Sequence, residues 1–268
     1  MGQTGRMRIA VVGHVEWVEF ARVECMPEAG AIVHALDRWE EPGGGGAVAA
    51  AELARLGASV EFFTALGDDE LGRRAHEQLS ALGVRLHVQL RDEPTRRAVT
   101  MVDRDGERTI FVLSEKLLPS GPIPDLGAFA GVDFVSGNIE ALRSARAAPV
   151  LVGAARELAT LREARVRLDA LVGSAEDPGE RHEPGELDPP PNLVVTTSGA
   201  RGGTLEPGGL TFDAAPLPGP LVDAYGCGDC FAAAFTLALA RGTALPEALA
   251  LAARSGAAAL ARRGAHGS

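Results

Sequence analysis

The sequence predicts an α/β fold: a doubly wound, mostly parallel sheet with helices on both faces, carrying a small β-sheet lid. Three observations predict it. Short apolar runs ended by glycine alternate with Ala-rich helical stretches, the pattern of parallel strands joined by crossover helices. Two segments break that alternation, about 14–41 and 86–114. They carry short strands joined by polar turns such as Asp105-Gly106, as in a half-exposed antiparallel sheet. The length, 268 residues, suits one core domain over 1–268 with an inserted lid, and no internal repeat is visible.

Taken in order, residues 9–12 (Ile-Ala-Val-Val) form an apolar run closed by Gly13, read as a buried parallel strand. Residues 14–39 mix Val15, Trp17, Ile32 and Val33 with Glu and His around Pro27 and Gly30, and read as a lid hairpin. Gly43–Gly46 opens an Ala-rich helix over 47–56, ended by Gly57. A strand over 60–65 and a helix over 69–82 follow, the latter ended by Gly83. Strands over 86–90, 98–103 and 109–113 are expected to partner the early hairpin. After the Pro-rich 119–124 stretch, strands over 132–136, 150–152 and 168–172 resume the alternation, with helices between them. Residues 177–191 are dense in Pro, Gly and charge and read as a loop or at best one helical turn. A strand over 193–197 and helices over 228–241 and 246–263 complete the reading.

Composition excludes several classes. With 26 Lys+Arg against 36 Asp+Glu, the formal net charge is −10, and no basic run offers the counterion release that nucleic-acid binding needs. Three cysteines are too few for a secreted disulfide framework and fit a reducing cytosol. The apolar stretch at 9–12 is too short for a secretory signal, and the longest later run, 231–240, is too short to span a membrane. The expectation is a soluble, cytoplasmic protein without nucleic-acid or membrane partners.

The segment Asp223-Ala224-Tyr225-Gly226-Cys227-Gly228-Asp229-Cys230-Phe231 is the most informative. Small residues at 226–228 let backbone N–H groups point outward at a helix N-terminus, which holds an anion. Asp229 in the first turn lies beside that anion, where phosphoryl transfer needs a base. The same residues also read as an acidic helix start without chemistry.

Here the sequence resembles the ribokinase-like (PfkB) carbohydrate kinase family. Asp223–Phe231 is similar to its D-T-x-G-A-G-D-x-F motif, with Ala224 for Thr and Cys227 for Ala. Pro42-Gly43-Gly44-Gly45-Gly46-Ala47 running into Ala54-Arg55-Leu56-Gly57 is similar to a second motif. Thr197-Ser198-Gly199-Ala200-Arg201-Gly202 is similar to the T-x-G-x-x-G turn near the nucleotide. Leu66-Gly67-Asp68-Asp69 with Gly72, and Arg262-Arg263-Gly264-Ala265, are family-like too, and the resemblance runs from about residue 8 to 268.

The resemblance implies transfer of the ATP γ-phosphoryl to a hydroxymethyl group of a small sugar or sugar-like molecule. A nucleoside kinase is the alternative, and a nucleotide-binding module without turnover is a third reading. Asp229 would be the base, and the N–H groups of Gly226, Cys227 and Gly228 would hold the developing charge. Thr197, Gly199, Gly202 and Asp223 would serve the nucleotide, Asp223 holding the anion loop or a monovalent cation. Gly43 and Gly44 would touch the substrate, and Mg2+ would bridge the ATP phosphates. The lid would close over the substrate, and two lids covering one another would make a homodimer.

Three positions depart from the family pattern. Val48 stands where an Asn contacts a sugar hydroxyl. Val18 stands where an Asp is usual, with Glu16 as a substitute two residues earlier. The N-x-x-E that organises Mg2+ and its water becomes Ser174 and Asp177. Arg108, on a lid strand, could reach substrate or phosphate or stand in solvent. His14, His34 and Trp17 are lid residues able to touch a substrate or simply pack.

Cys227-Gly228-Asp229-Cys230 is also a C-x-x-C at a helix start, which can make a redox dithiol. It lies inside a G-x-G-D-x-F match, without a thioredoxin-like start to the chain. Cys25 alone cannot complete a four-cysteine zinc site. No G-x-x-x-x-G-K-[ST] phosphate loop and no H-E-x-x-H occur.

Overall fold

The computed structural model describes residues 6–267. Its order is β1 (Arg8–Val12), β2 (Glu16–Arg22), β3 (Asp37–Gly43), α1 (Gly45–Arg55), β4 (Ser59–Gly67), α2 (Glu70–Ala81) and β5 (Arg85–Arg91). Then come β6 (Arg97–Val102), β7 (Arg108–Val112), β8 (Gly131–Phe134), α3 (Ile139–Ala145), β9 (Leu151–Ala154), α4 (Leu158–Ala164) and β10 (Ala170–Ser174). The order closes with β11 (Leu193–Thr197), β12 (Gly203–Glu206), β13 (Leu210–Phe212), α5 (Cys227–Ala240) and α6 (Leu245–Leu260).

The large sheet has the order β13-β12-β11-β10-β9-β8-β1-β4-β5. It is parallel from β5 to β11 and antiparallel at the β12–β13 edge. Strand alternation divides the core. Ala10 and Val12 join an apolar cluster with α3 and α4, whereas Ile9 and Val11 face the opposite side and pack with α1, α2 and α5. A third cluster joins Val172 and Val195 to α5 and α6. Burying Phe231, Phe235 and Leu237, at about 1.5–3 kcal/mol each, anchors α5 on the sheet and so fixes its N-terminus.

The lid sheet has the order β3-β2-β6-β7, with β2 and β6 parallel and the outer pairs antiparallel. Its inner face brings Val18, Phe20, Ala98 and Val102 onto Val48, Tyr225, Cys230, Ala259 and Ala265 of the core. Polar ties reinforce the contact. Ala224 N–H donates to the Gly106 carbonyl at 3.1 Å, and Arg22 Nη2 to the Val222 carbonyl at 3.2 Å.

One expectation is corrected. The stretch at 86–90 is not a partner of the early hairpin. It lies within β5, parallel to β4 at the edge of the large sheet, with Leu86 opposite Phe62. An edge strand exposes one face, so its polar–apolar alternation reads like that of an antiparallel lid strand. The β12–β13 hairpin was not foreseen, because Gly, Pro and Glu dominate its Glu206-Pro207-Gly208-Gly209 turn and its strands are short.

Candidate active site

The C-terminal ends of β1, β8, β10 and β11 converge with the N-terminus of α5, the place where parallel α/β sheets hold ligands. Gly226 is the N-cap of α5 and has φ +70°. A Cβ there would also come within 2.8 Å of Val48 Cγ1, so both conformation and space demand glycine. No side chain caps the helix, and its first internal bond runs from Cys230 N–H to the Gly226 carbonyl. The N–H groups of Cys227 and Gly228 therefore have no carbonyl partner among the described residues, which leaves a donor turn for an anion.

Asp229 stands in the first turn of α5, half-buried, with no hydrogen-bond partner among the described residues. A Cβ on Gly45 would lie 2.6 Å from its Oδ1 and 2.8 Å from Val135 Cγ1. Asp229 thus rests against the Gly45 backbone. Burial pushes its carboxyl up to about 6; Glu180 and Glu16 add to the rise, and Arg108 and Arg156 oppose it.

A buried polar cluster centres on Glu16, which is 5% exposed. Its Oε1 accepts from the Tyr225 hydroxyl at 3.1 Å, and its Oε2 lies 3.0 Å from Arg96 Nε. Gly44 N–H donates to the same tyrosine oxygen at 2.8 Å. His14 Nδ1 is 2.9 Å from Ser136 Oγ. Burial, then the cations Lys116 and Arg96, hold that imidazole well below its usual range, so it is neutral near pH 7.

Other expected residues lie elsewhere in the site or serve it differently. Val48 is buried beneath Gly226 and supports the anion turn. Gly43 is packed by Tyr225 and Val18. Thr197 ends β11 opposite Ser174, and Gly199 and Gly202 bound the turn that follows, with Glu176 against Gly199. Asp223 accepts from Tyr225 N–H at 2.9 Å and Gly264 N–H at 3.0 Å, so both its oxygens brace the catalytic loop. Trp17 is buried under Arg74, whose guanidinium lies 4.3 Å above its ring, and offers no face to a ligand. His34 is exposed on the lid loop.

Arg108 opens β7. It makes no hydrogen bond or ion pair among the described residues, yet its charge bears on Asp177, Asp223, Cys227 and Asp229. Asp177 accepts from Gly179 N–H at 2.8 Å and pairs with Arg156, which also holds Glu180 at 3.0 Å. This donor set does not fit a protein-held Mg2+. An arginine occupies both acids, and no cluster of three or more metal-ligating side chains exists among the described residues. Cys227 and Cys230 are free thiols, both held above the usual range by burial first, the opposite of a reactive dithiol.

Sequence reasoning missed Tyr225, Arg96, Glu180, Arg156 and Asp133. Asp133 lies on β8, 1% exposed, with Oδ2 unpartnered. A signal for it exists, since an aspartate interrupts the apolar run 132–135. Tyr225 is the chain's single tyrosine and fills the variable position of the motif.

A family profile described as pfkB family carbohydrate kinase matches residues 6–121 and 150–268. An ATP-dependent ribose-1-phosphate kinase from Halopiger xanaduensis is 33% identical over 107 residues, 39% of this chain and 36% of the relative. The matched stretch is therefore about a third of that protein. A putative ribokinase from Agrobacterium tumefaciens superposes with TM-score 0.82 at 21% identity, covering 98% of this chain and 94% of its own. The adenosine kinase from Sinorhizobium meliloti does so at 0.77 and 20%, covering 97% and 95%. At these identities the two structures establish the shared fold.

Proposed function

The chain belongs to the pfkB carbohydrate kinase family, and from that premise we propose that it transfers the γ-phosphoryl of ATP to a hydroxymethyl group of a small sugar or sugar-like acceptor. The observation that carries this reading is Asp229: a half-buried, unpartnered carboxylate beside the open N–H groups of α5. MgATP is the donor substrate. Asp229 takes the acceptor's hydroxyl proton as the oxygen attacks, and the N–H groups of Gly226, Cys227 and Gly228 hold the charge that builds on the transferred group. Thr197, Gly199 and Gly202 flank the nucleotide, and Arg108 reaches from the lid towards the phosphoryl group.

Gly43, Gly44 and Glu16 form the acceptor wall. Val18 and Val48 face the apolar contact between lid and core, so Glu16 stands in for the hydroxyl contacts they cannot make. A sugar-like acceptor is favoured over a nucleoside because the nearby rings are already used. Phe20 stacks on Trp39 at 4.8 Å and meets Tyr225 edge-on, leaving no free ring for a base.

We also propose a homodimer through the lid, since Ile110, Phe111 and Val112 of the edge strand β7 and the following Leu113 are all exposed apolar residues. A cytoplasmic location is supported by the three free thiols. The decisive experiment is ADP release from MgATP across neutral sugars, sugar phosphates and nucleosides. Turnover with at least one sugar-like acceptor, abolished in Asp229→Asn, is expected. Turnover with nucleosides alone would replace the acceptor assignment, and inertness with every acceptor would remove the kinase reading.

A further inference from the structure

We propose that Tyr225 is a positioning residue: its hydroxyl fixes the Gly43–Gly45 turn against Asp229 and links that turn, through Glu16, to the lid residue Arg96. Four contacts carry the inference. Gly44 N–H donates to the Tyr225 oxygen at 2.8 Å, and the Tyr225 O–H donates to Glu16 Oε1 at 3.1 Å. Glu16 Oε2 lies 3.0 Å from Arg96 Nε. Finally, the Gly45 backbone abuts Asp229, since a Cβ there would fall 2.6 Å from the carboxylate.

The relay joins three separate parts of the chain. Glu16 begins β2, and Arg96, just before β6, accepts from Trp17 N–H at 2.7 Å, so both stand at one end of the lid sheet. Tyr225 belongs to the catalytic loop, and Gly44 is the N-cap of α1. The hydroxyl satisfies the buried Gly44 N–H, which would otherwise be stranded without a partner. It also fills the contact at Gly43, where a Cβ would come within 2.5 Å of the tyrosine oxygen. The ring is locked by Phe20, edge-on at 5.1 Å. A hydroxyl held by two partners in a buried site is worth its geometry, because removing it strands both partners.

Arg96 supplies the other end. Its side chain is 13% exposed and makes no hydrogen bond among the described residues; Glu16 is its single ion-pair partner. The guanidinium therefore has donors left for an acceptor hydroxyl, while its charge holds Glu16 in place. An acceptor bound at Arg96 and Glu16 acts on the Tyr225 hydroxyl, and hence on the turn that backs the base. Specificity and base alignment are set by one chain of contacts.

Three variants test this: Tyr225→Phe, Arg96→Met and the double variant. Tyr225→Phe keeps the ring and deletes the hydroxyl. Hydrogen–deuterium exchange of the full-length protein is the first readout and does not depend on activity. The peptide covering 42–48 should exchange about tenfold faster in Tyr225→Phe, with the α5 interior unchanged. Unaltered exchange at 42–48 overturns the proposal. The second readout rests on the kinase reading: kcat should fall about tenfold while KM for ATP stays constant. A general loss of folding instead speeds exchange throughout and lowers the fraction of active molecules, which overturns the positioning role. Adding Arg96→Met to Tyr225→Phe should speed exchange at 42–48 little beyond the tyrosine change alone; fully additive effects break the link to Arg96. If the wild type proves inert with every acceptor, the kinase reading fails, and the exchange result still decides the relay.

Discussion

Gly226 and Val48 are in packing contact across the catalytic turn: a Cβ placed on the glycine would stand 2.8 Å from Val48 Cγ1. The turn is thus moulded on α1, and its left-handed φ of +70° is held by a neighbour that leaves no room for a side chain. Gly226→Ala combines backbone strain of about 1–2 kcal/mol with that clash. Turnover should fall at least tenfold. Adding Val48→Ala relieves the clash but not the strain, so it should restore part of the loss. Steady-state rates of the two variants measure this directly.

On the proposed mechanism, Asp229 sets the acid limit of activity. A carboxylate must be ionised to take a proton, and burial with Glu180 lifts Asp229 to about 6. The acceptor kcat/KM should therefore drop as pH falls through about 6. Glu180→Gln removes the largest neighbouring charge that raises Asp229 and should move this limb to lower pH. Arg108→Met removes the largest cation that lowers it and should move the limb up. Asp229→Asn should lose about 10²–10⁴ in rate at every pH.

Asp133 gives a separate stability signature. It lies two residues before Val135, which lies beside Gly45 and the base, and its register neighbours on β1 and β9 are Val11 and Val152. Burial first, then the charge of Asp229, pushes its carboxyl up to about 8. A folded-state value above the unfolded one contributes stability below about pH 4, and that stability drains away as pH climbs towards 8. Asp133→Asn cannot ionise and escapes the loss. Its Tm gain over wild type should be at least about 3 °C larger at pH 9 than at pH 4. Equal gains at both pH values would show that the carboxyl does not titrate in this window.

The thiols should behave as packing groups. Burial holds Cys227 and Cys230 above the usual thiol range, so alkylation at pH 7 should reach the exposed Cys25 first. Cys227→Ser with Cys230→Ser should keep most of the activity, because Arg262 Nη2, now 3.1 Å from Cys230 Sγ, can donate to a hydroxyl as well. Mass spectrometry of time-limited alkylation and a rate assay check the two halves.

Much of this architecture was legible because its signals are local. The run 9–12, the glycine that ends each early helix, and the small residues at 226–228 each state their geometry in a few neighbouring positions. The anion turn and its aspartate could be placed on a helix start from spacing alone. What stayed hidden depends on partners distant in sequence. Arg156 lies 21 residues from Asp177, and their pairing turns an expected metal-side acid into half of an ion pair. Tyr225 meets Glu16 across 209 residues, and no spacing reports such a contact. The strand at 86–90 was misplaced for another reason: an edge position imitates a lid strand in its alternation.

Gly264 N–H donates to Asp223, and Ala265 N–H donates to Glu41 at 2.8 Å, so residues 264–265 brace both the 223–226 loop and the lid strand β3. Residues 264 and 265 thus join the 223–226 loop to the lid strand β3, so a substitution that displaces Gly264 should loosen both segments together.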